Sequence, residues 1–277
     1  MGKFVYTKEN LRRLQLAELE MLREVDRICR KHEIAYILDG GTLLGAIRHG
    51  GFIPWDDDVD LRMLREEYDR FCEVCQTELS PNYFLQTYRT DPGYRWGYAR
   101  ILKNGTVYKR KGQHRMTARN GIFIDIFPDD DLPEGWFSGR LCTGLSWICR
   151  KLLYSEVGVW NKRRFSSWFG FFILNLFPKE WGHRGMEYLS RRYHSARATR
   201  VRCFGWGSRE EERGLWKRWH LETGEVEFEG LTLRASKDIK GFLTHFFGEN
   251  YMSLPPREKR IPGHMVTDLD FGDGNDS

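Results

Sequence analysis

No run in this chain approaches the roughly 18–20 consecutive apolar residues of a membrane-crossing helix. The longest candidate, Trp168–Phe177, is about half that length. The first 33 residues are charged throughout and hold no apolar block of the secretory kind. Cysteine is sparse and scattered, six in 277 residues. Without a leader, reduced thiols and a cytoplasmic setting are the expectation, with peripheral contact at the inner face of a membrane. Cys72-x-x-Cys75 has no second Cys or His pair nearby and reads as two thiols on a helix face rather than a zinc or redox site. The net charge is only +5, too mild a surplus to argue for a nucleic-acid partner, and none is expected.

What is present is a globular chain, 40% apolar and 30% charged, long enough to bury a core. Its charge is uneven. Between Ser138 and Arg202 thirteen Lys and Arg face Glu156, Glu180 and Glu187, a local +10, and four of the ten tryptophans lie there. Residues 265–277 hold Asp268, Asp270, Asp273 and Asp276 and no base, which reads as a solvated acidic tail.

Leu11, Leu14, Ala17, Met21, Val25 and Ile28 recur at spacings of three and four, predicting an amphipathic helix over 7–32. A short buried strand follows at Ile34–Leu38, then a short helix at Thr42–His49. A strand is expected at Asp58–Met63 and a helix over 65–79. Residues 83–127 read as four strands, Tyr83–Tyr88, Tyr94–Leu102, Thr106–Lys109 and Gly121–Phe127, with Asn104-Gly105 as a hairpin turn between the second and third. Pro128–Pro133 closes this half. Helical periods follow at 137–155, 165–177 and 180–203, a strand or hairpin at 225–233, a helix at 236–248, and a proline-bearing loop at Tyr251–Arg260.

Chemistry concentrates in Asp39–Leu61. Gly40 and Gly41 stand between a strand and a helix, where backbone can approach a phosphate and the helix start offers free N–H groups. Asp58 and Asp60 alternate along a strand, so they share a face with Cα atoms roughly 6.5–7 Å apart. Two such carboxylates suit Mg²⁺ or Mn²⁺, hard ions that keep positions open for substrate phosphates. Asp57 points the other way, and Asp56 sits where Pro54 and Trp55 bend the chain. Asp125 is a lone charge inside GIFIDIFP (121–128) and needs a partner, which an adjacent strand bearing Asp58 and Asp60 would supply through a metal. The run Asp129–Asp131 reads as solvated or as competing for metal. Joined, these features point to phosphoryl transfer, which needs positioning and charge neutralisation more than covalent chemistry.

GGTLLGAIRHGGFIPWDDDVDL (40–61) and GIFIDIFP, in that order and spacing, resemble the LicD family, which shares its core with fukutin and fukutin-related protein. YMSLPPREKRIPGH (251–264) resembles the family's closing segment more loosely. The resemblance implies an α+β fold, a nucleotidyltransferase-like mixed sheet with flanking helices and a largely helical insertion and C-terminal part. The implied divisions are a catalytic core at 1–133, a helical, basic, Trp-rich insertion at 134–235, a return segment at 236–264 and the acidic tail at 265–277. The implied reaction is metal-dependent transfer of a phospho-alcohol, phosphocholine first, from a CDP-activated donor to a hydroxyl of a cell-surface glycan, releasing CMP. The glycan would be a teichoic acid, lipopolysaccharide or capsule. Carried over by position, Asp58, Asp60 and Asp125 are the catalytic and metal-binding set. Gly40, Gly41, Thr42, Arg48, Arg100, Lys103, Arg260 and His264 are the substrate-binding set. The donor expected is CDP-choline, with CDP-ribitol or another CDP-polyol as the variant. The acceptor expected is a glycan, lipid-linked if the basic insertion meets an anionic membrane. The alternative for that region is a helical subdomain with its own Trp and Leu core. A second reading of the site is nucleotidyl transfer with pyrophosphate release. A third makes the chain an inactive membrane-associated partner of glycan assembly, against which the intact acids argue.

Overall fold

A computed structural model describes residues 6–114, 116–161, 164–207 and 214–272. In chain order the elements are α1 (Lys8–Lys31), β1 (Ile37–Leu38), α2 (Gly40–His49), β2 (Asp60–Leu64), α3 (Arg65–Glu78), β3 (Tyr83–Gln86), β4 (Ala99–Lys103), β5 (Val107–Arg110) and β6 (Phe123–Asp131). There follow α4 (Trp136–Asn161), α5 (Phe165–Asn175), α6 (Glu180–Tyr193), β7 (Arg200–Arg202), β8 (Leu215–Trp216), α7 (Arg218–Leu221), β9 (Thr223–Phe228), β10 (Leu231–Ser236), α8 (Ile239–Phe247) and β11 (Val266–Asp270). The chain is α+β.

The six apolar residues that predicted the first helix are all buried in α1, whose Thr7 cap accepts from the Asn10 N–H at 3.0 Å. They pack on a seven-stranded sheet whose central order is β1-β2-β6-β4-β3, with β7 on the end of β6 and β8 on β7. β2 and β6 run parallel and the other pairs antiparallel, so the sheet is mixed. Alternation along the strands gives it two unlike faces. Leu61, Met63, Ile124, Ile126, Ala99, Ile101 and Leu85 share the main core with Leu14, Met21 and Val25 of α1 and Phe71 of α3. Each Leu or Ile buried there contributes about 1.5–3 kcal/mol. The other face carries Asp60, Arg62, Asp125, Arg100 and Gln86.

Several elements differ from the sequence reading. β2 begins at Asp60, with Asp58 in the extended chain ahead of it. The turn at Asn104-Gly105 forms, yet β4 and β5 do not pair. Both edges of β4 are taken by β3 and β6, so β5 finds β11 instead. The acidic tail is therefore a strand over Val266–Asp270, with Asp268 3.7 Å from Lys109. Its last residues, 273–277, lie outside the described residues. β6 does not stop at Pro128. β4 pairs it up to Ile126 and β7 from Asp130, so the missing N–H of Pro128 falls in the gap between them.

Residues 129–131 are neither solvated nor free to take a metal. Asp129 meets Arg62 at 2.8 Å and His220 at 2.9 Å, Asp130 meets Arg65 at 2.7 Å, and Asp131 meets Lys217 at 2.7 Å. The predicted helix over 180–203 ends at Tyr193, and β7 carries the chain back to the sheet. The helical part is thus α4–α6, with a small core of Cys142, Leu153, Met186, Leu189 and Phe204. Residues 223–236 form the β9–β10 hairpin, turning at Glu229 and Gly230, both at positive φ. Its Phe228, Leu233 and Ala235 join the main core. None of the six cysteines is in a disulfide, and among the described residues no helix is long and apolar enough to cross a membrane.

Candidate active site

The β2–β6 pairing sets Asp60 beside Asp125, the β4–β6 pairing sets Asp125 beside Arg100, and Gln86 completes the row. Paired residues in a ladder share a face, so the row crosses the polar side of the sheet. The sequence reading left Asp125 in need of a metal as its partner, but Arg100 fills that role. Its Nε donates to Asp125 Oδ1 at 2.6 Å, and it lies 3.9 Å from the Phe123 ring. Arg100 is therefore committed to a buried pair. Lys103, at the far end of β4, pairs with Glu20 at 2.7 Å.

Upstream of β2 the chain bends at Pro54 and Trp55, bringing carboxylate oxygens of Asp56, Asp57 and Asp58 within 4.8 Å of one another. Asp57 faces inward. It accepts from the Tyr6 hydroxyl at 3.2 Å, the Tyr108 hydroxyl at 3.3 Å and the Gly263 N–H at 2.8 Å. Burial alone would raise it, but His264 and the N–H groups of Gly263 and His264 hold it below the ordinary range. His264 is thereby fixed at the cluster, its Nδ1 3.4 Å from Asp57 and 3.8 Å from Asp58. Burial and Asp57 push Asp56 upward, burial and Asp56 push Asp58 upward, and burial and Asp58 push Asp60 well upward. Like charges crowd here without an intervening cation.

The start of α2 borders these acids. Leu43 N–H closes the first helical bond onto Asp39 O, but the Asp39 side chain makes no cap bond to the helix. It turns to Arg62, 2.7 Å away, so no side chain caps the first-turn N–H groups of α2. A side chain at Gly41 would begin 2.9 Å from Asp56 Oδ2, so only glycine lets the two approach. Thr42 ties the elements together, its Oγ1 accepting from the Asp60 N–H at 3.0 Å. At the other end of α2, Arg48 donates to the carbonyls of Tyr251 and Ser253 at 3.0 and 3.2 Å. Burial lowers its pKa, Asp56 opposes that, and nearby Arg260 adds to it. Arg260 lies 5.5 Å from the Trp55 ring. Arg48 and Arg260 thus form a basic rim beside Asp56.

Three residues absent from the sequence reading belong to this place. Glu18 of α1 is buried, with no hydrogen-bond partner at Oε2. Burial pushes it far up, followed by Asp58, Asp57, Asp56 and Asp60. The signal was a Glu inside the apolar stripe, between Leu14 and Leu22. Asp39 and Arg62 form the buried support, with Arg62 bridging Asp39 to Asp129. No local pattern marks that bridge.

The donor set is all oxygen and crowded, which suits a hard divalent ion and gives a soft one nothing to hold. Among the described residues Asp56 has no ion pair and Asp58 has only His264, at 3.8 Å, and Asp60 stands next along the chain.

A family model described as LicD/FKTN/FKRP, nucleotidyltransferase domain, matches residues 33–140. The chain is 28% identical to lipopolysaccharide cholinephosphotransferase LicD of Haemophilus influenzae over 268 residues, 93% of this chain and 97% of that protein. It is 47% identical to ribitol 5-phosphate transferase FKRP of Homo sapiens over 53 residues, 18% of this chain and 11% of that protein. It is 38% identical to an uncharacterized protein of Rickettsia prowazekii over 124 residues, 44% and 42% of the two chains. The matched region spans α2, β2 and β6, the elements that build the acid cluster, and the similarity to a LicD protein runs along nearly the whole chain.

Proposed function

We propose that this chain transfers a phospho-alcohol group, phosphocholine first among candidates, from a CDP-activated donor to a glycan hydroxyl, releasing CMP. The observation that carries the reading is the crowded set Asp56, Asp58 and Asp60 against an α2 start without a side-chain cap. Similarity along nearly the whole of a cholinephosphotransferase supports the choline choice, and the FKRP match keeps ribitol as the variant. Asp58 and Asp60, with Asp56, would hold Mg²⁺ or Mn²⁺. When bound, the ion neutralises the donor diphosphate as the leaving group departs.

The chain's own groups do the rest. The Gly40 and Gly41 N–H groups receive a donor phosphate, and Arg48 and Arg260 line its edge. The acceptor oxygen–phosphorus bond forms as the bond to CMP breaks, and CMP leaves with the electron pair. The acceptor proton passes to a carboxylate, for which we assign Asp125, oriented by Arg100. His264 fixes the acid loop through Asp57 and orients it toward the donor.

We assign the exposed apolar side of α4 and α5 to peripheral contact with an anionic membrane, where a lipid-linked glycan would be met. Trp136, Trp147, Phe165 and Phe169 face outward there, with Arg140 and Lys151 among them. Such a contact would place the protein at the inner face of the membrane.

The deciding experiment is product analysis with CDP-choline, CDP-ribitol and CTP, Mg²⁺ and a glycan acceptor. CMP formed with one CDP-alcohol supports the reading. Pyrophosphate from CTP alone replaces it with nucleotidyl transfer.

A further inference from the structure

A cleft of about 1010 Å³ opens between α4, the loop before it and β7; no step of the transfer uses it, although Trp136, Arg140 and Trp147 on its wall belong to the face assigned to the membrane. It lies where β7 joins β6 at Asp130, five residues along the strand from Asp125, roughly 17 Å at the strand rise. Arg200 and Arg202 alternate on β7 and both line it, while Val201 between them is buried. Arg140 and Arg150 line it from α4, with Trp136 and Trp147 beside them.

Arg202 is the unusual member. It is 2% exposed, and neither its Nε nor its NH1 has a hydrogen-bond partner. Among the described residues Glu134 lines the cleft at its exposed side, while Asp130 is committed to Arg65 and Ser190 and Asp131 to Lys217. A buried guanidinium with two orphaned nitrogens is costly, and a bound anion removes that cost.

We propose that this cleft binds a phosphomonoester group. Arg202 and the exposed Arg140, with Arg200 and Arg150 beside them already donating to the Gly214 and Trp206 carbonyls, suit a doubly charged tetrahedral anion better than a single carboxylate, and arginine forks match phosphate oxygens. The phosphate would belong to a sugar or to a lipid headgroup. The site stands on this geometry alone and does not depend on the transferase reading.

The test is thermal unfolding of the full chain in inorganic phosphate against sodium chloride of equal ionic strength. Phosphate should raise Tm by a few degrees, and Arg202→Met should abolish that rise. Arg202→Met should leave Tm in chloride unchanged or higher, because it removes a buried charge without a partner; a merely structural arginine would give a loss. Arg140→Ala, at the exposed rim, cannot disturb the core and should reduce the rise. Repeating the series with glucose 6-phosphate and with vesicles containing phosphatidic acid assigns the source. A response to the sugar phosphate points to a glycan, and a response confined to the vesicles points to a lipid headgroup. No rise in the wild type, or an equal rise in Arg202→Met, overturns the proposal.

Discussion

On the sheet, Arg62, Asp125 and Asp129 are buried and each meets an opposite charge, while on α4 and α5 Trp147, Phe165 and Phe169 are turned to solvent. Each region reverses the usual partition of polar outside and apolar inside. Among the described residues of the sheet the inverted charges are paired except at two places: Asp56 and Asp60 beside the bend, where chemistry is proposed, and Arg202 on β7, where an anion is proposed. In the helices the inverted side chains are unpaired along a whole face, 76% exposed at Phe165, which suits contact with another surface. A paired buried charge is support, whereas an unpaired one is an invitation to a ligand.

That contrast is broken most severely at Arg62. Arg62→Met leaves Asp39 without its cation and Asp129 with His220 alone, and should cost about 3–5 kcal/mol in denaturant unfolding. A cost near zero would show that the bridge supports nothing. Next comes the unpaired cluster. Asp60→Asn should lower turnover by about 10²–10³-fold, the scale of losing one stabiliser of transition-state charge. The same change should leave the metal-free protein as stable or more so, since it removes a like charge; steady-state rates and a melting curve on one preparation separate these effects.

A third test uses His183, buried against Tyr88 with ring centroids 4.3 Å apart. Burial lowers its pKa from 6.5 to about 4. The folded state keeps it neutral while the unfolded chain takes up a proton below pH 6.5. Stability from this group is full above pH 6.5 and is lost as pH falls toward 4, by about 1 kcal/mol per pH unit. His183→Phe should flatten the stability profile in that window. The smallest expected effect on folding is in the helices. Phe165→Ser with Phe169→Ser should change stability by no more than about 0.5 kcal/mol for each residue, yet lower affinity for vesicles rich in phosphatidylglycerol. Unchanged vesicle affinity would leave that face without a membrane role.

What could be read from the sequence follows how far apart the determining residues lie. The α1 stripe, the glycines at the start of α2 and the acidic run are local and legible. So was the meeting of Asp60 with Asp125, because two strands each carrying a misplaced acid predict one another. The pairing of Arg100 with Asp125 is not legible locally because the two lie 25 residues apart and meet across the ladder. The buried run Asp129–Asp131 looked solvated because its partners Arg62, Arg65, Lys217 and His220 come from distant segments. The tail looked free because its strand partner β5 lies over 150 residues earlier in the chain. Glu18 was legible in principle, as a carboxylate inside an apolar stripe.

The central claim is that the unpaired acids hold a divalent ion for a CDP-alcohol. It is tested most directly by thermal unfolding with CDP-choline, with and without Mg²⁺, in the wild type and Asp60→Asn. The account predicts a rise in Tm that needs both ligands together and vanishes in the variant. A rise that is independent of Mg²⁺, or that survives in Asp60→Asn, would contradict it.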